Sequence, residues 1–224
     1  MYCFLLVVVV WVFSVCLHEY GHAWVAYRGG DTSVEEKGYL EMNPIHYAHP
    51  LTSFLLPMLF MVIGGIGLPG GAVYINRNLL RSRWWETAVS LAGPAMNLLL
   101  ALAVTILLRA FLMPHYPGQV ATYAMAFVLQ LQIMAILFNL IPVPPLDGFG
   151  AIEPWLPGEW QNTLRPAANY GLFILVLLFW KVPILNDAFW SCVDGISNSL
   201  GVNAELGDQG LQLFRHAIEF WKQS

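Results

Sequence analysis

The chain has 224 residues, 58% of them hydrophobic and only 11% charged, with a mean hydropathy of +0.60 and a net charge of −4. A soluble domain carries about a quarter charged residues, so the deficit implies lipid as the solvent, and a mild negative charge without a basic stripe gives no nucleic-acid partner. Cys3, Cys16 and Cys192 are odd in number and widely spaced, which points to neither a disulfide framework nor a cysteine metal site.

In chain order, residues 2–27 are the first apolar helix. Its first sixteen residues have signal-peptide character, but no basic residue precedes them, no small-residue cleavage site follows, and the run continues into His18 and Glu19. It is therefore expected to be a retained span. A polar stretch, 28–50, holds Asp31, Glu35, Glu36, Lys37 and Glu41, and residues 32–42 predict a short β-hairpin turning near Lys37-Gly38. Apolar residues 51–68 are interrupted by Pro57 and by Gly64, Gly65 and Gly67, and residues 70–78 read as extended, with Ala72-Val73-Tyr74-Ile75 as a strand.

Arg77, Arg81 and Arg83 precede a third run, 85–113; a tight turn at 114–118 leads to a fourth, 119–141, which stops at Pro142. The proline-rich loop 142–166 holds Asp147, and a fifth run covers 167–182. Beyond it, Leu185, Phe189, Val193, Ile196 and Leu200 recur at helical spacing, as do Leu211, Phe214, Ile218 and Trp221, the pattern of amphipathic helices. No internal repeat is visible. The expectation is one domain, 1–224, with its core in 2–150 and C-terminal helices in 167–224. Its fold is an all-α polytopic membrane bundle of about five to six segments, one of them re-entrant or partly extended, with a small β-hairpin near the active site.

His18-Glu19-Tyr20-Gly21-His22 has the form His-Glu-x-x-His. Four residues apart on a helix, two imidazoles lie on one face and can grip one zinc while the adjacent Glu reaches a water. Two packed histidines beside a charge are the bland alternative. In a membrane helix such groups are costly unless they pair or function, which favours the metal. Catalytic zinc needs a third protein ligand and an open position. Asp147 is the best candidate, because the Val143-Pro144-Pro145 cluster before it fixes a stiff turn that can aim a carboxylate at the bundle. Ordinary Asp-Gly turn chemistry is the competing reading of Asp147. Cys16 is a poor ligand, since residues two apart share no helix face.

Taken together, His18 to His22, Gly93-Pro94-Ala95-Met96-Asn97, and Asn139 followed by Leu146-Asp147-Gly148 resemble the site-2 protease family of intramembrane zinc metalloproteases, in that family's order. The resemblance covers about residues 10–150. It implies one zinc held by His18, His22 and Asp147, with Glu19 as general base. It also implies that Asn139 steadies the oxyanion or substrate backbone and that Asn97 lines the site; helix–helix hydrogen bonding is the plain alternative for both asparagines. Two departures stand out. Phe149-Gly150 follows Gly148 where the family often has Gly-Arg, and residues 43–50 carry His46 and His49 in place of the His and Asp of related bacterial members. Solvated loop histidines are the simpler reading of that pair, accessory metal contacts or pH-sensitive groups the other.

Ligands at the C-terminal ends of the first and fourth helices require those helices to run in one direction. Residues 51–68 are therefore expected to enter the membrane and return. With the N-terminus outside, Arg28, Lys37, Arg77, Arg81, Arg83 and Arg165 fall inside, which obeys the positive-inside bias. The implied protein is an integral, multi-pass protease of the bacterial inner membrane with its zinc nearer the cytoplasmic face. Its substrates would be transmembrane proteins or signal-peptide remnants, its surroundings the lipid bilayer. A non-proteolytic membrane zinc-binding or transport protein is the alternative; Glu19 argues against it, since a carrier needs no general base.

Overall fold

A computed structural model describes residues 2–43 and 73–223, and within these all the regular secondary structure is helical. Three helices are long and apolar enough to cross a membrane: α1 (Tyr2–Gly29), α3 (Arg83–His115, with a π-helical turn at Leu108–Leu112) and α4 (Val120–Asn139). Two short helices flank them, α2 (Ser33–Glu36) and α5 (Asp147–Ile152). The chain closes with α6 (Gly158–Leu164), α7 (Ala168–Lys181), α8 (Pro183–Ser199) and α9 (Ala204–Gln223).

Residue size decides how these helices pack. The interior face of α3 carries Ala92, Gly93, Asn97, Ala101 and Val104, whereas Leu98, Leu99, Leu102 and Ile106 stand exposed. Small residues let membrane helices approach closely, and lipid tails solvate the leucines turned outward. α4 lies at the centre, its residues 124–134 buried without a break. Its interior joins Cys3, Val7 and Trp11 of α1 to Ala101, Val104 and Leu108 of α3. The end of α1 that carries His18 and His22 meets the first half of α3, so α3 runs back against α1, and α4 then follows the direction of α1.

Three expectations change here. The span count among the described residues is three, or four if the pair Tyr170–Phe179 and Pro183–Ser199, bent by 89°, is one broken span. The expected five to six are not found, because α7 has only 14 residues before Val182-Pro183 interrupts it and α9 is too rich in charge. Nor do residues 32–42 form a hairpin: Ser33 turns its N–H and Oγ onto Asp31 Oδ1, at 3.1 and 2.6 Å, and one helical turn follows. Local side-chain bonding of this kind competes with strand pairing. Residues 73–76 form no paired strand either, although Asn76 is extended. The re-entrant segment 51–68, the first residues of the 70–78 stretch, and His46 and His49 lie outside the described residues.

Candidate metal centre

His18 and His22 project from the buried face of α1, one turn apart. The Nδ1 of His22 lies 2.7 Å from the Val89 carbonyl of α3. A carbonyl only accepts, so Nδ1 carries a proton and Nε2 is the ring nitrogen that can offer a lone pair to a metal. That Nε2 stands 3.0 Å from His18 Nε2 and 3.4 Å from Asp147 Oδ1, while His18 Nε2 is 3.2 Å from Asp147 Oδ2. These separations match the ligand–ligand edge of about 3.3 Å in a tetrahedron with zinc bonds near 2.0 Å. Two imidazole nitrogens and a carboxylate crowd one point, a donor set that a divalent cation would suit. Fixing one ring nitrogen on a carbonyl so that the other faces the metal is the usual outer-shell device.

Asp147 reaches this point from the C-terminal end of α4, which lies at the same end of the bundle as the histidines. The chain leaves α4 at Asn139, turns through residues 140–146, and starts α5 at Asp147 itself. The turn doubles back tightly enough that a side chain at Gly148 would run into the carbonyls of Leu140 and Ile141, which is why glycine follows the acid. On the opposite side, α3 closes the site with Gly93. A β-carbon there would strike the Nε2 atoms of both His22 and His18. The space that this glycine leaves is therefore the space into which the two imidazole nitrogens project.

A cleft of about 470 Å³ opens on the donors. Glu19 and Asn139 border it with His18, His22 and Asp147. Glu19 is buried, and its Oε2 accepts a hydrogen bond from the Val73 N–H at 3.0 Å. Asn97 is buried one turn beyond Gly93, its Oδ1 has no partner among the described residues, and it does not border the cleft. Among the described residues, His18, His22 and Asp147 are the one group of three suited to hold a metal; Cys16 is a buried free thiol.

A helix pair and a returning loop thus bring together three side chains suited to hold a metal. A model of Peptidase family M50 matches residues 4–124. The chain belongs to peptidase family M50. "Putative zinc metalloprotease Rip2" of Mycolicibacterium smegmatis is 45% identical over 218 residues, which is 97% of this chain and 81% of the relative. The protein of the same name from Mycobacterium tuberculosis H37Rv is 42% identical over the same shares. "Putative zinc metalloprotease YwhC" of Bacillus subtilis is 30% identical over 199 residues, 86% of this chain and 88% of the relative. No solved structure matches the chain. As an M50 member it is a site-2-type zinc metalloprotease with membrane-spanning helices.

Sequence reasoning missed several cleft residues of this M50 peptidase: Glu86, Val89, Leu80 and Leu172 all border it. Val89 lies four residues before Gly93, but its contribution is a backbone carbonyl, which no side-chain pattern signals.

Proposed function

We propose that this metalloprotease hydrolyses peptide bonds in or beside transmembrane segments of membrane-protein substrates, using one zinc held by His18, His22 and Asp147. The observation that carries the reading is that Glu19 and the three donors share one cleft walled by two apolar spanning helices. Gly93, against the donors, lies ten residues into α3, a depth of about 15 Å at the helical rise. Around that end stand the exposed Trp84, Trp155 and Trp160, with Arg28 stacked on Trp24 at 5.3 Å. Aromatic belts of this kind mark a membrane interface. Arg77, Arg81, Arg83, Arg165 and Lys37 gather at the same end, which favours the cytoplasmic side of a bacterial inner membrane.

When bound, the zinc supplies Lewis-acid activation of water and of the scissile carbonyl. His22 and His18 present Nε2 to it, and Asp147 supplies the charge. Glu19 takes the proton of the attacking water and returns it to the leaving amine; the Val73 N–H steadies the carboxylate oxygen that does not receive it. Asn139, at the cleft edge, holds the substrate backbone or the developing oxyanion. Asn97 takes no step in this scheme.

A substrate helix has to unwind before its carbonyl can be attacked, and an unwound strand needs backbone partners. Val73 N–H and Asn76 N–H bond to opposite sides, to Glu19 and Asp31, as expected of an extended chain. Ile75 then points its backbone as Val73 does, toward the cleft, and among the described residues its N–H and C=O have no partner. Strand addition to this edge supplies what the unwound substrate lacks.

The test is Glu19→Gln in proteoliposomes with a single-span substrate. The variant is expected to retain zinc and lose cleavage by at least about a hundredfold, the usual scale of general-base catalysis. Cleavage at the wild-type rate would remove Glu19 from the mechanism. A zinc-binding carrier would instead lose no hydrolysis, having none in the wild type.

A further inference from the structure

Residues 73–77 form the wall between two cavities: Tyr74, Ile75 and Arg77 border both the metal cleft and a second pocket of about 500 Å³. The first four of these residues belong to no helix and to no paired strand among the described residues. A segment in that state keeps its position only through bonds from elsewhere. We infer that Asp31 and Glu153 are positioning residues that clamp this segment across the metal cleft and thereby set the alignment of an unwound substrate; the inference rests on the proteolytic reading above.

Asp31 is fully buried. Its Oδ1 takes the Ser33 N–H and hydroxyl, and its Oδ2 takes the Asn76 N–H at 2.6 Å. It lies outside the group of donors suited to a metal. Burying a carboxylate is costly unless donors satisfy it, and the donor supplied from 45 residues away is the backbone of the wall. Lys37 assists from the same side, with Nζ 3.1 Å from the Tyr74 carbonyl and 4.8 Å above its ring.

Glu153 holds the other end. It is 3% exposed, bonds Arg77 of the wall through Oε2, and receives Arg165 Nε on Oε1 at 2.6 Å. Exposed ion pairs contribute little to stability, but this carboxylate is enclosed and joins three separate stretches of chain. Its place in the sequence sharpens the point. Glu153 directly follows α5, and α5 begins at the donor Asp147. One short helix, about 9 Å long at the helical rise, therefore carries both the group that meets the metal and the group that grips the wall. The height of Ile75 above the donors is fixed by that helix.

The experiment places a nitroxide on Tyr74→Cys, an exposed position, in a Cys192→Ser background that leaves only the buried Cys3 and Cys16. Asp31→Ala and Glu153→Gln are each expected to convert an immobilised spectrum into a mobile one, with zinc content unchanged. On a transmembrane substrate, each is expected to raise KM about tenfold, the scale of one charge-assisted hydrogen bond, with kcat within about twofold. Partial misfolding would lower kcat at constant KM instead. If Asp31→Ala does not fold, Asp31→Asn, which keeps one acceptor, is expected to give an intermediate spectrum. An unchanged spectrum or a wild-type KM in either variant overturns the assignment for that residue. A zinc-loaded wild type that cleaves nothing overturns the proteolytic reading alone, because the spectra still decide whether the clamp exists.

Discussion

Gly93→Ala tests the metal centre without touching a donor. The added methyl falls where the Nε2 atoms of His18 and His22 converge, so both imidazoles must turn away or α1 and α3 must separate. Overpacking by one methyl costs about 1–3 kcal/mol. If the strain is relieved at the rings, zinc affinity falls about 5- to 150-fold, at 1.4 kcal/mol per decade. The metal-free protein has an opposing gain, since alanine is better than glycine inside a helix by about 1 kcal/mol. The expected signature is therefore weaker zinc retention against a graded chelator series with little loss of thermal stability in the metal-free state. Gly158→Ala is the control, because a β-carbon there meets nothing within 4 Å. Zinc retention in Gly93→Ala equal to that of the wild type would refute the placement of the metal between these three donors. Equal weakening in Gly158→Ala would show that the effect is not local.

His18→Ala, His22→Ala and Asp147→Ala are each expected to purify without zinc by elemental analysis, and full zinc content in any one of them removes that residue from the ligand set. Acid should loosen the clamp at its Glu153 end. Burial pushes the Glu153 carboxyl up, but hydrogen bonds from Arg165 and Arg77 outweigh it and hold the group below the usual glutamate range. A group depressed on folding stabilises the fold above its unfolded value of about 4.3, and that contribution is lost as pH falls through the lower folded value. Thermal melts between pH 6 and 3 should show this loss in the wild type and not in Glu153→Gln. Coincident profiles would count against it.

The parts of the molecule that could be read from sequence are those in which one short stretch supplies its own explanation. The apolar run of α1 requires a span, and histidines four apart on it require a common face. The proline cluster that begins at Pro142 stops α4, and the return of Asp147 toward α1 is what a third ligand for catalytic zinc would require. The hairpin expected at residues 32–42 does not form, because the Asp31 carboxylate draws Ser33 into a helical turn. The span count failed because apolar content does not reveal a bend. Phe179 and Phe189 pack edge to face across the interruption at Val182-Pro183, so hydrophobic residues there serve a corner rather than a crossing.

Asp31 shows where reading a sequence stops. In a polar stretch beside Glu35, Glu36 and Glu41 it looks like another solvated acid, and nothing local distinguishes it. Its role is set by Asn76, 45 positions on, and by a wall that exists only once α1 and α3 are in place. The same holds for Gly93, whose meaning lies in the rings of a different helix. Donors that must carry lone pairs toward one point are recognisable by type and spacing. The groups that give those donors room, and that hold a substrate edge above them, act through backbone and through empty space, and they become visible only when the helices are assembled.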